Sequence, residues 1–447
     1  MQFVNFEPPS SPSLDQQRDA LKKGLGRTMR WARSGVLEDG PLLEACLRDQ
    51  RFDMQIEEPR GRWLWRLIRA AGAADRFRVP ILHALYDLAD DRSANQLCEL
   101  GGCYAESGDD AFRLRLYDIV EQKPFADDLT LGEEEILRLD GESAFLFAAR
   151  VRGEGLPGRE WEWDDGFLVD EAIERLGEAR VAELLNQSQD GAVVAFRSGW
   201  QAQNELQKSP EPRPTYQEEM RSISVGEILS AAESDTARLG YFRFRGWGKY
   251  ASEADLEAVF RKIRSAREPV VIARLLRVFS DRAAPAFAPR FIELTRHADD
   301  DVQHWATMAL EQIELPIVRD HALAELREGG RRAGFVVGIL ARNYRPGDEM
   351  RVLESLDALP DEDWERHSLL MDVIKLLEAN PEADRSTLGL IAYACTPCEH
   401  CRRNSVRFLL EAGLAPEWLI EECRFDSSEK SREIAVGVAG PRESELE

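Results

Sequence analysis

Asp299-Asp300-Asp301-Val302-Gln303-His304-Trp305-Ala306-Thr307-Met308-Ala309-Leu310-Glu311-Gln312-Ile313 is the stretch from which the fold can be read. Val302, Trp305, Ala306, Ala309, Leu310 and Ile313 recur at steps of three and four, so a helix gathers them on one stripe and turns the polar residues away. The aspartates predict its start, because a carboxylate accepts from the free backbone N–H groups and complements the positive end of the helix dipole. Ala306 and Ala309 are small enough for a second helix to approach closely.

Outward from this helix, short amphipathic segments separated by turns continue from 252 to 439. Cys401-Arg402-Arg403-Asn404-Ser405-Val406-Arg407-Phe408-Leu409 has an early arginine with a small residue three positions on. Asp426-Ser427-Ser428-Glu429-Lys430-Ser431-Arg432-Glu433-Ile434-Ala435 has an acidic cap, an arginine and then an alanine three later. An acidic turn followed by arginine and small residues at three-residue steps resembles the second helix of a HEAT-like repeat, of the kind found in phycobilisome-lyase HEAT-like proteins.

The resemblance implies an all-α fold, an α-solenoid of stacked helical hairpins in one or two helical halves, with an extended concave surface. It implies a protein-binding scaffold or regulatory subunit. It also admits a nucleic-acid-binding or base-excision-type enzyme, and a lyase-like protein that cradles a chromophore or other cofactor. The expected organisation is an extended leader at 1–13, an N-terminal helical domain at 14–206, a proline-rich linker at 207–216 and a repeat domain at 217–447.

Charge narrows these functions. The chain of 447 residues carries a net charge of −24, spread along its length and not gathered in a tail. That field opposes nonspecific binding to phosphate backbones or anionic lipid and favours solubility or a partner with a basic surface. No stretch approaches the ~18 consecutive apolar residues of a membrane span. The N-terminus has neither the basic start nor the apolar core of a secretory signal. A cytoplasmic protein is expected, and seven cysteines fit reduced thiols.

Four places carry residues with chemical potential. Around Pro59 and Gly61, Arg60 and Trp63 sit among alternating charges, as in an interaction hot spot or a structural ion-pair network. Arg152-Gly153-Glu154-Gly155-Leu156-Pro157-Gly158 reads as a loop leading to Trp161-Glu162-Trp163-Asp164-Asp165, where aromatics beside carboxylates suit a binding edge, a core or a carboxylate pair for catalysis. Tyr241-Phe242-Arg243-Phe244-Arg245-Gly246-Trp247-Gly248-Lys249-Tyr250 interleaves basic and aromatic residues, as nucleic-acid-binding strands do or as a linker capping the following helices would. Arg245 and Trp247 are its candidate binding residues.

Last, Cys395-Thr396-Pro397-Cys398-Glu399-His400-Cys401 combines a C-x-x-C pair with imidazole, and Cys423 lies beyond. Thiolates in this spacing suit tetrahedral zinc, so Cys395, Cys398, Cys401 and Cys423, with His400 as an alternative fourth ligand, form a candidate structural site. Small buried residues at a repeat junction, or a reactive thiol at a helix start, are the other readings. No cofactor besides that zinc is expected. Gly24-Leu25-Gly26 lacks the preceding strand and third glycine of a phosphate loop and reads as a helix break or a tight packing point.

Overall fold

The computed structural model describes residues 6–88, 91–123, 130–156, 164–208, 214–234, 241–329, 331–356 and 360–439. The fold is all-α: about 73% of it is helix, and no strand occurs among the described residues. The helix from Asp300–Leu310 begins where the aspartates predict. Asp299 caps it by accepting a hydrogen bond from the Val302 N–H at 3.0 Å, and Val302, Trp305, Ala306, Ala309 and Leu310 are buried. The helix before it is short, Pro289–Leu294. Pro289 has no N–H to donate and holds Ala288 in extended backbone, so the helix cannot reach further back.

The chain divides into two compact units, each with its own core. One comprises Arg213–Leu419 with Met1–Glu7, and the other Pro8–Pro212 with Ile420–Glu447. In both, the main helix–helix contacts join elements no more than three α-helices apart along the chain. Within the N-terminal unit, Asp91–Glu106 packs against Gly61–Ala70, Ala74–Tyr86, Asp110–Gln122 and Glu133–Asp140, with Leu97, Leu100, Phe112, Leu116 and Ile136 in the core.

Residues from 420 onward, expected to belong to a repeat domain at 217–447, group with the N-terminal unit. Their anchors are specific. The Ser427 N–H donates to the Gly24 carbonyl at 2.9 Å, the Trp63 Nε1–H donates to the Phe425 carbonyl at 2.9 Å, and Arg27 pairs with the buried Glu422 carboxylate. Gly24, at φ 73°, ends the helix Leu14–Lys23, and a Cβ at Gly26 would collide with the Glu422 carbonyl oxygen. The two glycines therefore do what their sequence context suggests, one breaking a helix and the other admitting a backbone.

Two expected loops are helical. Arg152 and Gly153 belong to the helix Glu142–Glu154, because Gly153 lets the Ala192 carbonyl of Gly191–Lys208 come against the backbone. Tyr241–Tyr250 is a helix in place of a strand or a linker: Phe244 and Trp247, three residues apart, share its buried face, and Gly248 admits the Val278 backbone. Among the described residues, no helix is long and apolar enough to cross a membrane.

Candidate functional site

Each unit contains a cleft with charged residues in its lining. The cleft of the N-terminal unit encloses about 710 Å³ and is lined chiefly by carboxylates and two arginines: Glu99, Glu133, Glu134, Glu135, Asp165 and Glu171, with Arg51 and Arg152. Two glycines make room for two of these glutamates. A Cβ at Gly61 would strike Glu99, and one at Gly102 would press on Glu135, so glutamate side chains occupy space that any larger residue would fill.

The arginines of this cleft are already engaged. Arg152, itself buried, meets Glu133 at 2.7 Å through Nη2 and Asp164 and Asp165 at 3.0 and 2.9 Å through Nη1. Arg51 is held by Asp49 at 2.6 Å, and Arg62, nearby, pairs with Glu106 at 2.7 Å. Glu99 accepts the Arg62 backbone N–H at 3.4 Å, at the start of the helix Gly61–Ala70. Burial nevertheless pushes its carboxyl up to about 7, against the help of the Gly61 and Arg62 N–H groups. Glu135 is 7% exposed, and among the described residues no cation pairs with it. Burial, with the charges of Glu134 and Glu99 behind it, pushes Glu135 up to about 8 against its own backbone N–H and the pull of Arg62.

The cleft of the C-terminal unit encloses about 660 Å³. His304 and Trp305 line it from Asp300–Leu310, Asp372 and Lys375 from Asp363–Ala379, and Cys401 from Glu399–Glu411. Here a cation answers the acids: Lys375 forms an ion pair with the buried Glu311. Glu311 is raised by burial and drawn back by Lys375, while Asp372 is raised well above the usual carboxylate range by burial and by the Glu311 charge. Burial lowers His304, which favours its neutral form.

At the wall of this cleft, Cys398, Cys401 and His367 converge, with one donor atom from each all within 4.8 Å of one another. Cys401 Sγ lies 3.3 Å from His367 Nε2. Cys398 is the N-cap residue of Glu399–Glu411 and Cys401 lies in its first turn. Hydrogen bonding from Cys401 holds the Cys398 thiol down to about 4 despite burial, with His367 adding to the effect, and the same hydrogen bond pushes Cys401 up.

The sequence candidates fare differently. Arg60 is buried and divided between Glu57 at 2.8 Å and the Lys22 carbonyl at 2.6 Å. Trp63 is buried on Phe425, and these two hold the fold together around the C-terminal segment. Trp247 is buried with its Nε1–H donating to the Ile223 carbonyl at 2.9 Å. Arg245 lines the C-terminal cleft and pairs with Asp281 at 2.6 Å, and Arg243 pairs with Glu219, so the interleaved segment presents arginines matched to acids. Trp161 and Trp163 lie outside the described residues.

Of the four cysteines, the structure brings together Cys398 and Cys401. Cys395 closes the helix Arg385–Cys395 and is half-buried, and Cys423 belongs to the N-terminal unit. His400 turns to Arg403 and Asn404 on its own helix. The ligand-type residue that does join the pair, His367, has no sequence motif around it. Neither does Glu135, whose apparent role in Glu133-Glu134-Glu135 is to start a helix. The chain matches no family model, and neither the curated proteins nor the solved structures give a match to it.

Proposed function

We propose that the chain is an α-solenoid-like helical scaffold or regulatory subunit in the cytoplasm, and that its N-terminal cleft receives a lysine or arginine side chain of a protein partner. Glu135 carries this reading. A carboxyl that is 7% exposed and has no ion pair, with Arg62 attracting it only from a distance, holds its proton near neutral pH, so an arriving ammonium or guanidinium gains a charge-assisted hydrogen bond as that proton leaves. Glu99 stands beside it in the same cleft, and the net charge of −24 steers a basic partner toward the chain. Packing between near neighbours in sequence supports the solenoid reading, because repeat architectures bury their cores in that way.

The test uses the tagged full chain in its native host, as wild type and as the E99Q/E135Q variant, with nuclease-treated samples and quantitative mass spectrometry. A stoichiometric protein partner that survives nuclease and falls at least tenfold with the variant is expected. Recovery of the chain alone, or only with nucleic acid, would overturn the scaffold reading. Equal recovery by both forms, with matching circular dichroism, would remove the partner from this cleft.

A further inference from the structure

We propose that His367, Cys398 and Cys401 bind a thiolate-preferring divalent metal ion, zinc in chemical class, with a fourth position open toward the C-terminal cleft. The site rests on its own geometry and is independent of the partner reading, which concerns the other unit.

Two cysteines three positions apart within a helix are neighbours on its surface, with Cβ atoms about 5–6 Å apart. At a helix start the geometry differs: the N-cap side chain folds back over the first turn, toward the residue three positions on. Cys398 and Cys401 occupy these two positions, so their sulfurs converge. A second helix, Asp363–Ala379, supplies the third donor in His367. Ideal tetrahedral zinc, with Zn–S about 2.3 Å and Zn–N about 2.0–2.1 Å, separates its sulfur ligands by about 3.8 Å and sulfur from nitrogen by about 3.6 Å. The Cys401–His367 separation of 3.3 Å is within a few tenths of an ångström of that requirement, and the whole set is contained within 4.8 Å.

Both cysteines are buried, Cys398 at 1% and Cys401 at 4% exposure, which shields them from exchange with a bulky disulfide and suits a bound ion better. Cys401 also lines the cleft, so a fourth ligand, water or a group from a bound molecule, has a route to the ion. Two thiolates and one imidazole leave an open position, as in sites where the metal meets an exchangeable ligand.

The test is cobalt(II) titration of the full chain after reduction and chelator treatment. One equivalent is expected to give thiolate-to-cobalt charge-transfer absorption and visible d–d bands of tetrahedral intensity, and zinc is expected to displace them. C398S and C401S should each weaken the charge-transfer band by about half or abolish it, and H367Q should alter the d–d bands while circular dichroism stays helical. C395S and C423S should leave the spectrum unchanged. No charge-transfer band in the folded, reduced wild type, or a band that survives the C398S/C401S double substitution, would overturn the site. Loss of the band on C395S or C423S would overturn this ligand set.

Discussion

The two clefts contain the same kind of acid and answer it differently. In the C-terminal unit Lys375 reaches the buried Glu311, so the acid has a cation of its own. In the N-terminal unit three carboxylates take Arg152 and Glu106 takes Arg62, which leaves Glu135 without an ion pair among the described residues and only the distant pull of Arg62. The difference lies in how the charges are paired and is invisible to composition. A closed ion network holds a fold, whereas a buried acid with no ion pair is a place where binding can release a proton.

The largest effect expected comes from opening the closed network. Replacing Arg152 by Met leaves Glu133 and Asp164 buried without their guanidinium and should cost about 3–5 kcal/mol in urea unfolding. A loss under about 1 kcal/mol would mean that the network is solvated and the contrast between the clefts is false. K375M, which strips Glu311 of its cation, should cost less, about 1–3 kcal/mol, because Lys375 is half exposed and water can reach the site.

E135Q should have the opposite sign. The folded state binds this proton more tightly than the unfolded chain, so wild-type stability falls as pH rises from the ordinary glutamate range to about 8. The variant removes that decline: it should match wild type near pH 5 and exceed it by about 1–3 kcal/mol above pH 8, in parallel thermal melts across that window. An E135Q protein destabilised at pH 8 would show that the carboxylate has a cation after all. The smallest effect belongs to R245A, whose pair with Asp281 is partly exposed and should contribute within about 1 kcal/mol by double-mutant cycle.

Much of the fold is legible in the sequence because helices are local. The stripe from Val302 to Leu310 and its aspartate cap depend on residues a few positions apart, and both appear where the pattern puts them. Gly153 and Gly248 defeat the same method: a glycine reads as a loop signal, but here it sits in a helix so that another backbone can approach. Half of the candidate metal site is legible for the same local reason, since Cys398 and Cys401 share one turn. His367 stands 34 residues before Cys401 on another helix, and only tertiary packing brings it near. Glu135 was hidden in a different way, because three glutamates in a row look like a solvated helix start until Gly102 is found to make room for one of them.

The segment beyond Leu419, which pairs with Gly24, Arg27 and Trp63, sets an order of events during synthesis. Trp63 leaves the ribosome early, but its carbonyl partner Phe425 follows 362 residues later, and the Arg27–Glu422 pair spans 395. The first unit to emerge is therefore the last to be completed, and it must wait with Trp63 and Gly26 uncovered while all of residues 213–419 are translated. At ~5–20 residues per second that wait lasts on the order of tens of seconds. A ribosome-stalled chain ending before residue 420 should accordingly be cut by protease in its N-terminal unit, whereas one released after residue 439 should resist.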